Sequence, residues 1–239
     1  MKFLILILLV SNASWAQKQD NDHVQYCRSL HQIPFRNLLE AKVPTMPDAL
    51  SVNHDGSWHF SLPVQEVYAL YTTTPMSKAW ASKYIVNRFS LPLGSSEPID
   101  VDQKWYDSKK SSWAKDWPAL PMPQAWPGLI QGTRIYLDIK GALLNHSCDM
   151  AIGFEVTQTI PNQMIELKYL DFSPPYGVQR ITFKEDGKGG TVVSQISYYK
   201  GKDPVLHLLY RPFHREEIPG LHERMQELAV KKAVTIAHP

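Results

Sequence analysis

The stretch WHFSLPVQEVY, Trp58 to Tyr68, changes its period at the midpoint. Before Pro63 the apolar Trp58, Phe60 and Leu62 alternate with Ser57, His59 and Ser61, the pattern of a strand with one wet face. After it, Val64, Val67, Tyr68 and Tyr71 fall along one side of a helix over Val64–Thr72. Proline opens that helix where its missing N–H costs least. A strand running directly into a short helix therefore begins the main body.

Downstream, Pro75 starts a second short helix that carries Met76, Trp80 and Tyr84. Ser90 to Leu129 then has no sustained period, and about forty residues of plain connection is long enough to suspect a function. Trp105, Trp113, Trp117 and Trp126 lie there among Pro118, Pro121, Pro123 and Pro127, with Lys109, Lys110 and Lys115 nearby. Three roles stay open for Trp113, Trp117 and Trp126: a lid at a cavity mouth, a docking patch for a partner or a membrane surface, or packing.

From Gly132 the chain alternates again, in Arg134–Ile139, Met150–Gln158, Met164–Leu170, Gln179–Phe183 and Thr191–Tyr199. Turn-forming Asn145-His-Ser, Pro161-Asn, Pro174-Pro and Asp186-Gly-Lys-Gly-Gly separate these runs, as antiparallel hairpins require. The last segment, Pro204 to Ala233, is helical, with Ile218, Leu221, Met225, Leu228 and Ala229 at intervals of three and four. Pro212 and Pro219 are expected to interrupt its early part, so that the uniform helix starts near Pro219. Strands grouped apart from helices make the fold class α+β, a curved antiparallel sheet wrapped around a long C-terminal helix.

Upstream of the body, residues 17–48 read as an extension with a helix over Val24–Ala41, packed on the domain that spans 49–233, with a short tail at 234–239. Residues 1–16 have the form of an export signal: Lys2, the apolar run Phe3–Val10, and Ser14-Trp-Ala16 before a cut at Ala16/Gln17. The mature protein is accordingly expected in a periplasm or outside the cell. There Cys27 and Cys148 would be free to bridge the extension to the body, or to remain two buried thiols. With 239 residues, 44% hydrophobic, and a formal charge of +2, the chain is globular in composition and has no global field to hold nucleic acid.

Catalytic signatures are sparse. His207, His214 and His222 are spaced for one helical face, but no HExxH or paired Cys/His spacing accompanies them and no metal or other cofactor is expected. The alternation places His59 on the solvated face, and Asp186–Thr191 lies between two strands, which makes it a hairpin turn and not a phosphate loop. Arg211, Arg215, Glu216 and Glu217 read as a solvated helix start, with the arginines as an alternative contact for an acidic ligand head.

The order of these pieces resembles the START-like, or SRPBCC, superfamily with its helix-grip fold. Trp58–Tyr68 matches its first strand and helix, Gly132-Thr-Arg-Ile the second strand's entry, Gly189-Gly-Thr-Val-Val193 a late strand, and His207–His214 through Leu221–Met225 the grip helix. The long Trp/Pro insertion at 90–129 and the export signal depart from many familiar members. The resemblance implies an apolar cavity between sheet and terminal helix that holds a lipid, sterol or similar hydrophobic molecule. Tyr136, Phe154, Ile165, Tyr169, Ile181, Phe183 and Tyr198 from the strands, with Leu221 and Met225 from the helix, are the residues expected to line it. Alternation alone reports burial, so the same residues would equally fill a solid core. Binding or transfer of such a ligand is the leading reading. A cyclase, aromatase or hydrolase using Asp171, Glu155 or a tyrosine for proton transfer, and an envelope docking protein using the Trp/Pro insertion, are the alternatives.

Overall fold

The computed structural model describes residues 38, 40–46, 50, 52–75, 79, 85–91, 93–94, 126, 128–143, 146–202 and 204–237. Its strands are β1 (Val52–Phe60), β2 (Ile85–Leu91), β3 (Arg134–Leu143), β4 (His146–Ile160), β5 (Met164–Tyr169), β6 (Pro175–Glu185) and β7 (Thr191–Gly201). They form one antiparallel sheet in the order β1-β7-β6-β5-β4-β3-β2. The chain meanders from β2 to β7 and the last strand closes beside the first. Register shifts at Val52/His54, Ile85/Asn87 and Val156/Gln158 supply bulges, which bend and twist a sheet.

Six of these strands follow the alternation read from the sequence. The seventh, β2, does not announce itself, because Asn87 interrupts the apolar set Ile85, Phe89 and Leu91. Helix α1 (Val64–Thr73) follows β1 as the Pro63 signal requires, and buries Val64, Val67 and Tyr71. It packs on β6 and on the terminal helix α2 (Pro204–Ala237), which in turn packs on β1, β6 and β7.

Helix α2 corrects one expectation. It runs as a single 34-residue helix with Pro212 and Pro219 inside it, so the prolines do not end it. Each proline removes one backbone hydrogen bond and crowds the carbonyl four residues back. The two are seven residues apart, on one side of the helix, with Pro212 exposed and Pro219 half-buried. The opposite side buries Ile218, Leu221, Met225 and Ala229 against the sheet, and that packing outweighs the local defect.

The two faces of the sheet are packed differently, and on β6 and β7 the outward Arg180, Lys184 and Ile196 are exposed. The inner face carries the main core, including Phe60, Ile135, Leu137, Ile152, Val156 and Val193. The outer face carries a second cluster in which Leu38 and Ala41 of the N-terminal extension pack on Tyr136, Ala151, Leu170 and Leu91. One close approach depends on glycine. Gly177 in β6 has φ +152, and a Cβ there would stand 2.1 Å from the Tyr198 carbonyl oxygen on the neighbouring strand.

Candidate functional site

The inward side of the central strands is not uniformly apolar. β6 sends Gln179 inward with Ile181 and Phe183, and β7 sends Gln195 and Ser197 with Val193 and Tyr199, all of them buried. Helix α2 lays Tyr210, His214, Glu217 and His222 over them, also buried. Polar groups so placed must find partners in one another, since an unmet buried donor or acceptor costs about 1–3 kcal/mol.

Gln179, Gln195, Tyr210 and His222 do so as one continuous chain of hydrogen bonds. The Tyr71 hydroxyl of α1 lies 2.5 Å from His222 Nδ1, and His222 Nε2 lies 2.7 Å from Gln195 Oε1. Gln195 Nε2 donates to Gln179 Oε1 at 2.7 Å, and Gln179 Nε2 donates to the Tyr169 hydroxyl at 2.7 Å. The Tyr169 hydroxyl meets that of Tyr210 at 2.7 Å, which returns the chain to α2. Trp58 stacks on the His222 ring, with centroids 3.7 Å apart and planes 18° from parallel.

The two carboxamides give the chain a direction. Because Gln195 Nε2 donates to Gln179, Gln195 Oε1 faces His222 Nε2 and accepts from it, while His222 Nδ1 and the Tyr71 hydroxyl share the remaining bond. At the other end the Tyr169 oxygen accepts from Gln179 Nε2 and shares a hydrogen bond with the Tyr210 hydroxyl in which either oxygen can donate.

Burial pushes the Tyr71, Tyr169 and Tyr210 phenols well above their ordinary value, so all three remain protonated. The negative charge of Glu217 adds to the effect at Tyr210, while hydrogen bonds from Tyr210 and Gln179 partly offset it at Tyr169.

Beside Tyr210 lies a cavity of about 20 Å³. Its walls are Leu137, Ile152, Phe154, Phe213 and Ile218, and its polar groups are Gln179, Tyr210, His214 and Glu217. That volume accepts a single water-sized group.

Phe154, Ile165, Tyr169, Ile181, Phe183, Leu221 and Met225, expected at a cavity wall, all sit in the inner core. Of these, Phe154 borders the cavity and Tyr169 reaches it through Tyr210. Tyr136 and Tyr198 correct the expectation. Tyr136 lies on the outer face with Leu38 and Ala41, because Ile135 and Leu137 take the inward positions on β3. Tyr198 is half-buried on the outer side of β7, since the inward set there is Val193, Gln195, Ser197 and Tyr199. Polar Gln195 and Ser197 at inward positions disguised that set.

Of the acid–base candidates, the carboxylates Glu155 and Asp171 lie elsewhere, while tyrosines do sit in the inner core. Glu155 pairs with Arg134 at 3.0 Å, and Arg134 in turn bonds the Leu38 carbonyl of the extension. Asp171 is exposed, at the start of a turn. Among the described residues, His214, Glu217 and His222 are buried over the inner face together with the tyrosines Tyr71, Tyr169, Tyr199 and Tyr210, and Glu217 is buried where a solvated helix start was expected. Their signal was present in the spacing of His214 and His222, which an unbroken α2 turns toward the sheet. Arg211 and Arg215 are exposed, as is His59. Among the described residues no group of three or more His, Cys, Asp or Glu side chains is placed to hold a metal.

Trp126 is half-buried against the main core, and its indole N–H donates to the Thr72 carbonyl at 3.1 Å. Leu129 N–H donates to the same oxygen at 2.7 Å, so the end of the insertion is tied to the C-terminus of α1. Trp113, Trp117, the neighbouring lysines, the export signal and the Cys27–Cys148 pairing lie outside the described residues.

No protein-family model and no curated protein matches this chain. Among solved structures it is similar to norcoclaurine synthase from Thalictrum flavum, a point mutant in complex with a transition-state analogue. The TM-score is 0.51 at 8% identity, over 79% of this chain and 99% of that one. Protein Ms6760 from Mycobacterium smegmatis aligns at TM-score 0.43 and 14% identity, over 80% of this chain and 99% of that one. Protein NE0264 from Nitrosomonas europaea aligns at 0.44 and 11%, over 76% and 96%. In strand order, in the long terminal helix laid on the sheet, and in this likeness to norcoclaurine synthase, the chain has the helix-grip fold of the START-like, or SRPBCC, superfamily.

Proposed function

We propose that this protein binds a small hydrophobic molecule between the sheet and α2, and that it does so after export to a periplasm or the cell exterior. One observation carries the reading: a chain of hydrogen bonds through the core ends on a tyrosine beside a cavity with five apolar walls. Sites for small molecules combine such apolar walls with a few placed polar groups. At about 20 Å³ the cavity takes only a ligand's head. The ligand's body enters by displacing Phe213 and Ile218, on the part of α2 that two prolines deprive of backbone hydrogen bonds.

The same chain argues against proton-transfer catalysis through these residues. Passing a proton from His222 to Tyr210 would take both Gln195 and Gln179 through an imidic acid form, so the chain orients its members instead of relaying charge. Native mass spectrometry of protein purified from its own compartment tests the proposal. A stoichiometric hydrophobic ligand is expected in the exported protein, with Leu137→Trp, which fills the cavity, reducing its occupancy. Protein that is repeatedly free of ligand, and that takes none up from a lipid extract, refutes the binding reading; recovery from the cytoplasm with residues 1–16 intact refutes export.

A further inference from the structure

We infer that the cavity beside Tyr210 takes the ammonium head of a primary amine whose apolar body lies between the sheet and α2, with Glu217 as its counter-charge. The inference rests on the binding site proposed above and names the class of ligand it selects.

Charge sets the class. Of the polar groups that line the cavity, Gln179 and Tyr210 are neutral, and His214 is an imidazole, ordinarily neutral above about pH 7. Glu217 is the carboxylate among them, 6% exposed, and its negative charge is felt at Tyr210. The remaining walls are apolar, so in this poorly hydrated place a ligand of opposite charge is favoured and one of like charge is repelled. Whatever else a carboxylate touches, its roughly four acceptor sites are enough to keep one for a ligand.

The other polar groups suit the same head. A primary ammonium has three donors and no acceptor, so it needs acceptors around it. Gln179 Oε1 uses one of its two lone pairs on Gln195 Nε2 and keeps the other. The Tyr210 oxygen keeps a lone pair whichever hydroxyl donates in its bond with Tyr169. A neutral His214 ring adds one acceptor nitrogen. Phe154, Tyr210 and Phe213 bring aromatic rings to the wall, and a cation within about 6 Å is drawn to ring faces. Size narrows the class further: about 20 Å³ admits one water-sized group, which a primary ammonium is and a trimethylammonium is not.

Decylamine, decyltrimethylammonium, 1-decanol and decanoate share one alkyl skeleton and differ at the head. Their binding to the full mature protein at about pH 8, where the amine is charged and an imidazole ordinarily is not, is the test, followed by calorimetry and intrinsic tryptophan fluorescence. Decylamine is expected to bind about tenfold more tightly than 1-decanol and decyltrimethylammonium, the worth of one hydrogen bond to a charged group, and decanoate to bind most weakly. Glu217→Gln keeps the shape and removes the charge, and should bring decylamine down to the affinity of 1-decanol. Leu137→Trp, which fills the cavity, should weaken decylamine as well. Decylamine that binds no more tightly than 1-decanol, or that decyltrimethylammonium matches, overturns the inference while leaving hydrophobic binding intact. So does a folded Glu217→Gln variant that keeps the wild-type preference. Failure of all four probes to bind overturns the binding site and the inference together. The wild-type series decides the matter even where a variant does not fold.

Discussion

Gln195→Leu cuts the hydrogen-bond chain near its middle, and its cost can be worked from the groups it strands. His222 Nε2–H loses its acceptor and Gln179 Oε1 its donor, in side chains that are 0% and 1% exposed. Each stranded group costs about 1–3 kcal/mol, and the extra apolar burial of leucine returns about 1–2 kcal/mol. The net loss is about 1–4 kcal/mol, a large share of an ordinary domain's stability. In urea titrations followed by circular dichroism, with slopes near 2 kcal/mol/M, the midpoint should fall by about 0.5–2 M. The double variant Gln179→Leu/Gln195→Leu sharpens the test. It strands neither Gln179 Oε1 nor Gln195 Nε2, both of which are counted in the single losses. It should therefore cost less than the sum of the singles by about 2 kcal/mol or more, since two groups at about 1–3 kcal/mol each are no longer stranded. A loss below about 0.5 kcal/mol for Gln195→Leu, or strict additivity in the double variant, would refute the idea that these residues act as one chain.

Three further perturbations follow from the fold. Gly177→Ala places a Cβ 2.1 Å from the Tyr198 carbonyl oxygen at a backbone angle suited to glycine, and should lower stability by more than about 2 kcal/mol in the same titration. Pro212→Ala restores a backbone donor at an exposed position and should stabilise the protein by about 1–3 kcal/mol while slowing ligand exchange; destabilisation would show that the proline fits α2 without strain. For Glu166, burial pushes the carboxyl up, but hydrogen bonds from Arg180 and Thr157 and the charges of Lys168 and Arg180 outweigh it and hold it below the ordinary 4.5. Its contribution is thus present above about pH 4.5 and lost as pH falls through the lower folded value. Glu166→Gln should flatten the acid side of the stability profile by about 1 kcal/mol or less, because Arg180 is 44% exposed; an unchanged acid slope would count against the assignment.

The sequence made the fold legible where period and punctuation agree. Trp58–Tyr71 shows a strand, a proline and a helix in order, and Asp186–Gly190 marks the β6–β7 hairpin. It failed where a residue type contradicts its position. Asn87 hides β2, and Gln195 and Ser197 make the inward side of β7 look like its outward side, which shifted attention from Tyr199 to Tyr198. Tyr136 illustrates a second limit: a strand covered on both faces shows no wet side, so alternation says nothing about which face meets which core. The polar chain was the least legible part, since it joins residues as far apart as Tyr71 and His222 and exists only once α1, α2 and three strands are assembled.

That assembly also fixes where α2 can yield. The chain ties the helix at two points, Tyr210 and His222, twelve residues and therefore about 18 Å apart along the helix axis. Between them lie Pro212 and Pro219, each of which leaves a carbonyl in the preceding turn without its usual donor, and the residues Phe213, His214, Glu217 and Ile218 that border the cavity. A helix held at both ends and weakened in the middle bows more readily than it swings. Opening the cavity by such a bow keeps His222 on Gln195 and Tyr210 on Tyr169, and so preserves the chain while the ligand enters. A hinge at either end would instead break one of those two bonds. The polar chain is thus compatible with binding only if the middle of α2 moves, which is where the two prolines stand.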